Sequence, residues 1–210
     1  SALAQEYRIL VQPAGVKEGG LADLTGNLVI DATFKKEIGF SEEGLAAYYD
    51  AKTKQFGFVN TKGEPLATEI KDYKLIEIFG FGMKGFKDGF AAVKVGEKWG
   101  FINTEGKLAI PAKYDKVTLF DQGYATAKVG EKFVVVDQNG AEFPVDIPGL
   151  VDVNDFSELY ASFKTDADQV GFIDGHGNIV IEAKYKAAGD FHGGLAWAKN
   201  AAGSVGYVNE

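Results

Sequence analysis

Apolar and polar residues alternate in short runs along the whole chain, and turn-forming residues separate one run from the next. The clearest run covers residues 98–102, in which the bulky Trp99 and Phe101 occupy alternate positions. Alternation with a period of two is typical of a β-strand. No segment shows a convincing 3.6-residue period of an amphipathic helix. The pattern therefore predicts an all-β protein.

The run at residues 98–102 ends in the tetrad Asn103-Thr104-Glu105-Gly106. An Asn or Asp that opens a turn can accept hydrogen bonds from the backbone ahead of it, and a Gly three places on tolerates the positive φ that follows. A second strand then begins at residue 108, a Phe-rich turn covers 120–123, and a third strand covers 124–129. One unit is therefore predicted to contain three strands and two turns.

The same unit recurs along the chain. The glycines of the tetrad are separated by 37, 43, 34 and 37 residues, and the residue three places before each is always Asn or Asp. A near-constant period in this range indicates tandem supersecondary units, which must stack because three short strands cannot bury an apolar face alone. The glycines are Gly26, Gly63, Gly106, Gly140 and Gly177, and the aromatic residues of the second turn are Phe40, Phe86, Phe120, Phe156 and Phe191.

A further glycine recurs inside the first strand of the units. It is present as Gly20, Gly57, Gly100, Gly171 and Gly206, whereas the fourth unit has Val134. A glycine within a strand weakens it and usually marks a bend or the close approach of another backbone. We expect such an approach here, in preference to a ligand contact.

The repeats predict one continuous array without a linker. Residues 1–19 are interpreted as an N-terminal strand or cap and residues 20–210 as the array, with units at about 20–54, 55–97, 98–131, 132–168 and 169–203 and a partial unit at 204–210. We expect about five three-stranded antiparallel meanders in a twisted or solenoid-like array. A small five-bladed propeller is the alternative.

Composition and charge narrow the possible functions. The net charge of −8, with 30 acidic and 22 basic residues, disfavours general binding to nucleic acids or anionic membranes. The absence of cysteine excludes disulfides and thiolate metal sites, and no apolar run approaches the length of a membrane span. Because the chain begins with Ser1 and not with Met, we expect that a natural start, such as a signal peptide, has been removed.

The motif K-W-G-F-I-N/D-x-x-G-K/N-x-x-I, with K-Y shortly after it, is best developed at residues 98–114 and next best at residues 169–185. In this motif the chain resembles the WG-repeat family of bacterial β-repeat proteins. The resemblance extends over roughly residues 20–209, although the Trp itself is present only as Trp99. It implies tandem β-repeats, often in exported or envelope proteins with roles in binding, and it supplies no catalytic residues. An extracytoplasmic location is the corresponding expectation.

Two features of the third strands are candidates for ligand binding. A lysine recurs near the strand end, and these lysines form either a solvated edge that blocks strand pairing or a strip for an anionic polymer. Trp197 occupies a position that is small in the other units, so it is either a filler at the end of the array or an aromatic platform for sugar or peptide. The lysines are Lys94, Lys128, Lys164 and Lys199, and the small residues are Ala47, Ala92, Thr126 and Ser162.

Residues 80–85, GFGMKG, match the letters of a dinucleotide-binding loop. Such a loop needs a strand before it and a helix after it, and here the ordinary second turn follows. The segment is better explained as an insertion whose apolar residues either pack or form an adhesive tip, namely Phe79, Phe81, Met83 and Phe86.

Residues 174–178, DGHGN, resemble part of a calcium loop. They coincide with the shared turn and lack the later Glu, so no metal site is predicted there. His176 and His192 are interpreted as surface turn residues, and no cofactor is predicted.

The first functional hypothesis is a non-enzymatic binding module that engages a protein or a glycan along a face of the repeats. The alternatives are a hydrolase of polymers, whose carboxylate pair the sequence does not identify, and a structural spacer.

Overall fold

The computed structural model describes residues 9–11, 19–22, 25–34, 39–50, 52–78 and 82–209. In these ranges every regular element is a β-strand, which confirms the all-β prediction. Among the described residues there is accordingly no helix that is long and apolar enough to cross a membrane.

In the described residues the strands form five small sheets and a separate two-stranded ribbon. Sheet I has the order β1-β2-β3-β4-β5, and its strands are β1 (Ile9–Val11), β2 (Gly19–Ala22), β3 (Leu28–Phe34), β4 (Leu45–Asp50) and β5 (Gln55–Asn60). Sheet II has the order β11-β10-β9-β6. Its strands are β6 (Lys74–Leu75), β9 (Phe90–Val95), β10 (Lys98–Asn103) and β11 (Leu108–Tyr114). The insertion between β6 and β9 forms a two-stranded ribbon, in which β7 (Glu77–Ile78) pairs with β8 (Gly82–Met83).

The remaining three sheets follow the same plan in chain order. Sheet III contains β12 (Lys116–Val117), β13 (Tyr124–Val129), β14 (Lys132–Asp137) and β15 (Glu142–Pro144). Sheet IV contains β16 (Leu150–Ser157), β17 (Tyr160–Thr165), β18 (Val170–Ile173) and β19 (Ile179–Tyr185). Sheet V contains β20 (Ala187–Ala188), β21 (Ala196–Lys199) and β22 (Val205–Val208). Neighbouring strands in these three sheets pair antiparallel.

The chain divides into two compact units, which are larger than the sequence repeats. The first contains Ser1–Gly96 and Phe101–Leu108, and the second contains Glu97–Gly100 and Ala109–Glu210. The division passes through the residues of sheet II and not through a linker.

The sheets are out of phase with the sequence repeat. The predicted unit 98–131 contributes β10 and β11 to sheet II, and β12 and β13 to sheet III. The reason is that the chain bends at Asp115, directly after β11, and the N–H of Asp115 donates to Lys128 O of sheet III at 2.8 Å. The same step recurs at Lys186, whose N–H donates to Lys199 O of sheet V at 2.8 Å. Sheets II to IV therefore have four strands where three were expected.

The predicted Asx-Gly turns are confirmed at four places, and Asp23 of the first tetrad lies outside the described residues. In each, the side-chain Oδ1 accepts hydrogen bonds of 2.8 to 3.1 Å from the N–H groups two and four residues on, with Asn60, Asn103, Asp137 and Asp174 as the acceptors. The tetrad glycines all have φ between +77° and +88°. This left-handed region is strained for any residue with a Cβ atom.

Two tetrad glycines also lie against the backbone of the preceding repeat. A Cβ atom on Gly106 would lie 2.1 Å from Ala67 O, and one on Gly177 would lie 2.6 Å from Pro144 O. A glycine is therefore needed at each of these two positions for two reasons, the positive φ and the close contact with the preceding repeat.

At Gly100 and Gly171 the glycine inside the first strand has the role that the sequence predicts, whereas a Cβ atom on Gly57 would meet the ring of Tyr48. A Cβ atom on Gly100 would lie 2.5 Å from Ile110 O, and one on Gly171 would lie 2.5 Å from Ile181 O. The neighbouring strand β19 shifts register opposite Gly171, whereas β15 pairs regularly with Val134. The glycine thus lets a bulged outer strand approach the first strand closely.

Neighbouring sheets pack face to face in three pairs, which are sheets I and II, sheets III and IV, and sheets IV and V. We call the side that carries Phe58 in sheet I, Val135 in sheet III and Phe172 in sheet IV the forward face, and the opposite side the back face. The forward faces of these sheets pack against the alanine-lined back faces of sheets II, IV and V, at Ala91, Ala161 and Ala196 respectively. The small third-strand residues are thus explained by close sheet-on-sheet packing.

The second turns are held by a carboxylate from the preceding sheet. Glu158, in the hairpin between β16 and β17, accepts hydrogen bonds from Gly193 N at 2.7 Å and Gly194 N at 2.8 Å. Glu43 similarly accepts from Gly89 N at 2.6 Å. The two N–H donors, that of Gly194 first, lower the pKa of Glu158 because they stabilise its ionised form.

The K-Y pair of the motif also has a structural role. Tyr114 is fully buried, and its hydroxyl donates to Glu142 Oε1 at 2.8 Å, while Lys113 Nζ lies 2.8 Å from the same oxygen. Burial raises the pKa of Tyr114, and the hydrogen bond from Lys113 lowers that of Glu142. The three side chains fasten the end of β11 to β15 of the next sheet.

The first prediction compares two glycines that both have positive φ. Gly123 has φ +95° with open space around it, so Gly123→Ala should cost about 1–2 kcal/mol of unfolding free energy. Gly106→Ala adds the collision with Ala67 O, and we expect it to cost at least about 1 kcal/mol more. Denaturant unfolding measures both variants, and equal losses would contradict the packing role of Gly106.

The second prediction concerns Glu158. Because its pKa is lowered on folding, its contribution to stability is complete above the ordinary glutamate pKa of about 4.3 and disappears as the pH falls through the lowered value. We therefore expect Glu158→Gln to be less stable than the wild type at pH 7, and the difference to vanish at sufficiently low pH. Thermal unfolding across this range measures it. Glu131→Gln is the control, since the Glu131 side chain is 99% exposed, and a similar pH-dependent difference there would refute the assignment.

Candidate functional site

The forward face of sheet V differs from the forward faces of the other sheets in its exposure. The same repeat position is occupied by Phe58, Phe101, Val135 and Phe172, which are 0% or 1% exposed. In sheet V it is occupied by Tyr207, which is 77% exposed. Val205, two residues before it on the same face, is 64% exposed. Sheet V thus presents to solvent a surface of the kind that the other sheets bury.

Trp197 lies on this face, directly opposite Tyr207 in the pairing of β21 with β22. Side chains that are directly opposite in an antiparallel pair have Cβ atoms about 5 Å apart. Trp197 is 42% exposed, while its neighbours Ala196 and Ala198 are buried on the back face. The structure therefore places two aromatic side chains next to each other on an open surface.

Gly189 makes room for the indole ring. Its N–H donates to Trp197 O at 3.0 Å, and a Cβ atom on Gly189 would lie 2.0 Å from Trp197 Nε1. In sheet III the corresponding pair is Thr118 with Thr126, whose hydroxyl groups are 3.2 Å apart. The glycine in place of a threonine therefore leaves the space in which the indole ring of Trp197 lies.

The four lysines occupy matching places in their sheets, but their surroundings differ. Lys164 Nζ lies 2.5 Å from Asp168 Oδ1, and Lys128 Nζ lies 3.8 Å from Glu131 Oε2 and 5.2 Å from the centre of the Phe133 ring. Lys94 is half-buried, and Lys199 is exposed on the forward face of sheet V, opposite Val205. Exposed ion pairs such as these are worth little. The strip for an anionic polymer stays a prediction.

The insertion shows packing at the residues that the structure describes. Phe86 is buried in the hydrophobic core between sheets I and II, and the half-buried Met83 packs against that core. Both side chains thus contribute to packing, and a binding role of the insertion stays a prediction. Phe79 and Phe81 lie outside the described residues. The segment is followed by the second turn, as expected, and not by the helix of a dinucleotide-binding loop.

Both histidines are exposed, as predicted. His176 lies in the fifth Asx-Gly turn, where its ring contacts Phe143 with ring centres 4.8 Å apart. In the part of the chain that the structure describes, no three His, Asp or Glu side chains are grouped so that they could hold a metal ion.

A cavity of about 620 Å³ lies in the second unit, between the start of β14 and the loop that follows β15. Its wall includes Glu131, Lys132, Phe133, Asp146 and Pro148. Neither Trp197 nor any of the four lysines lines the cavity, although Lys128 contacts two of its wall residues, Glu131 and Phe133.

Two members of the exposed site were not identified as such from the sequence. Tyr207 stands at a position that is apolar and buried in the other sheets, so the repeat pattern predicts burial for it. Gly189 could have been found by aligning the short strands β12 and β20, in which Thr118 and Gly189 correspond. Trp197 was recognisable because its counterparts are all small.

The fold and the recurring turns define the class of protein: an all-β tandem repeat protein made of small stacked antiparallel sheets. The family model described as "WG containing repeat" matches residues 20–49, 82–99, 99–133 and 171–201, together more than half of the chain. The chain therefore belongs to the WG-containing repeat family. A comparison with curated protein sequences finds no match.

Solved structures that resemble the chain are β-propeller-like proteins. Hsv2p of Kluyveromyces lactis is 11% identical with a TM-score of 0.51, and the match covers 95% of this chain and 70% of that one. BamB from Moraxella catarrhalis is 13% identical with a TM-score of 0.44, covering 95% of this chain and 66% of that one. At such identities the likeness to Hsv2p concerns the fold alone.

The third prediction tests the seat of Trp197. In a Trp99→Phe background, which leaves Trp197 as the single tryptophan, we expect Gly189→Ala to displace the indole, because the new methyl group would overlap the ring. The emission maximum and quenching by acrylamide should both change. The control Gly206→Ala adds a methyl group where no atom lies within 4 Å, and it should leave both unchanged. Identical spectra for the two variants would contradict the geometry.

Proposed function

We propose that this chain is a non-enzymatic binding module that holds a glycan on the forward face of sheet V. The observation that carries the proposal is the 77% exposure of Tyr207 at a position that is otherwise buried. An exposed aromatic surface of this kind marks an interaction site more often than a scattered apolar residue does.

The arrangement of the two rings favours a sugar as the ligand. Since the indole of Trp197 lies over Gly189, one side of the ring system rests on the sheet and the other faces outwards. Tyr207 adds a second ring with a hydroxyl group, and Lys199 adds hydrogen-bond donors on the same face. A pyranose presents apolar C–H groups that can stack on such rings, and hydroxyl groups that can bond to the polar atoms around them. A protein partner on the same face is the alternative outcome.

The proposal includes the absence of catalysis and a location outside the cytoplasm. Three carboxylates with well-defined contacts, Glu142, Glu158 and Asp174, each hold strands or turns together, which supports a structural role for them. The location is supported by the family resemblance and by the fact that cell-wall polymers, the candidate ligands, lie outside the membrane.

The fourth prediction tests this function with cellulose, chitin and purified bacterial peptidoglycan. We expect the chain to co-sediment saturably with one of these polymers, and Trp197→Ala to lower the affinity by about tenfold or more. Trp99→Phe is the matched control, since Trp99 is half-buried and other units carry phenylalanine at its position. It should bind like the wild type. The proposal fails if no polymer is bound, or if binding survives Trp197→Ala. A protein ligand would then be the remaining hypothesis for the forward face of sheet V.

A further inference from the structure

Sheet III differs from sheets II and IV in the residue that faces its outer strand. A Cβ atom on Gly171 would lie 2.5 Å from Ile181 O, so the bulged outer strand of sheet IV needs the glycine. Sheet III has Val134 at this position, and β15 pairs in a regular register that places Pro144 opposite Val134. The strand β15 ends at Pro144 after three residues, whereas β19 has seven. The change from glycine to valine thus accompanies a shortened outer strand.

The chain after β15 forms a loop that sheets II and IV do not have. In sheet IV one residue separates the end of β19 at Tyr185 from the next sheet, whereas residues 145–149 separate β15 from β16. A β-turn closes this loop, since Leu150 N–H donates to Ile147 O at 3.2 Å and Gly149 between them has φ +70°. Loops inserted into a repeat array often carry function.

Both ends of the loop are fixed. At its start Val145 N–H donates to Phe133 O at 3.1 Å. At its end Gly149 O accepts a hydrogen bond of 2.8 Å from Asp166 N–H, and a Cβ atom on Gly149 would collide with the carboxylate of Asp166. The loop therefore lies firmly beside the start of β14, and the cavity of about 620 Å³ lies between them. This volume is in the range of small-molecule sites.

The wall of the cavity combines apolar and charged side chains. Phe133, Ile147 and Pro148 supply apolar surface, while Lys132 and Asp146 supply one charge of each sign. Both charged residues are exposed, and neither forms an ion pair within 4 Å with another residue that the structure describes. Their charges are therefore available to a ligand.

The third charged residue of the wall, Glu131, is already balanced. Its Oε2 atom lies 3.8 Å from Lys128 Nζ, and the same ammonium group lies 5.2 Å from the centre of the Phe133 ring. A ligand that carries only one sign of charge would thus meet a charge of its own sign at this wall. A ligand with both signs can pair with Lys132 and with Asp146.

We propose that this cavity binds a free dipeptide with an apolar side chain. The carboxylate of the dipeptide pairs with Lys132, its ammonium group pairs with Asp146, and its side chain lies against Phe133 and Pro148. Hydrogen bonds between charged groups are roughly twice as strong as neutral ones, and they fix the orientation of the ligand. A single amino acid has the same charges but fills much less of the volume.

The fifth prediction uses the dipeptide alanyl-phenylalanine as the probe and isothermal titration calorimetry of the full chain as the measurement. We expect saturable binding. The acetylated and amidated form of the dipeptide has the same side chains and no charge at either end, and we expect its affinity to be lower by about tenfold or more.

Two variants of the wall test the roles of the charges. Lys132→Gln and Asp146→Asn each leave one end of the dipeptide without its partner, so each should lower the affinity by about tenfold. The matched controls are Lys71→Gln and Asp72→Asn, which remove the same charges at exposed residues outside the wall, and both should bind like the wild type. Since all four side chains are exposed, circular dichroism and thermal unfolding should show an unchanged fold.

Three outcomes would overturn the proposal: the absence of saturable binding, equal affinity for the blocked dipeptide, or wild-type affinity in Lys132→Gln and Asp146→Asn. The wall does not include Trp197, so Trp197→Ala should leave dipeptide binding unchanged. This proposal and the glycan proposal can therefore fail separately.

Discussion

Close packing of one small sheet on the next is the interaction on which this structure depends. A sheet of three or four short strands cannot bury an apolar face by itself, and here the bulky forward faces of sheets I, III and IV are each covered by a back face lined with alanine. The distance between two sheets leaves no room for large side chains on both of them. This explains why Ala91, Ala161 and Ala196 recur at one position while phenylalanine or valine recurs at another.

The same need for close approach determines where the glycines lie. Gly106 and Gly177 adopt a left-handed φ and also touch the backbone of the preceding repeat, while Gly100 and Gly171 admit the carbonyl of an outer strand. Charged residues then fasten one sheet to the next, as Glu158 does at two N–H groups and Glu142 at Tyr114 and Lys113. Most of the recurring polar residues are thereby explained by the architecture. The architecture does not explain the exposed pair of Trp197 and Tyr207, and the glycan proposal rests on this pair.

Much of the fold could be predicted because its signals are local. The Asx-Gly tetrads act within five residues, so the sequence is sufficient to locate the hairpins, and the alternation within strands identifies which positions are buried. The number of strands in a sheet could not be predicted in this way. It depends on the bend at Asp115, where the chain leaves one sheet and pairs with the next. The hydrogen bond from Asp115 to Lys128 joins residues that the local pattern does not relate.

The candidate site shows the same division. The sequence alone determined that Trp197 stands at a position where the other units have small residues. It also predicted that another backbone closely approaches the glycines inside the strands. Only the tertiary structure decided that Tyr207 is exposed and that Gly189 lies beneath the indole ring. It also shows that no atom lies within 4 Å of a Cβ atom placed on Gly206. The physical reason is that side-chain direction and turn geometry are set by neighbours in the chain, whereas burial is set by whatever else packs against a surface. A repeat pattern assigns the same environment to every copy, and the packing of each copy decides whether it has that environment.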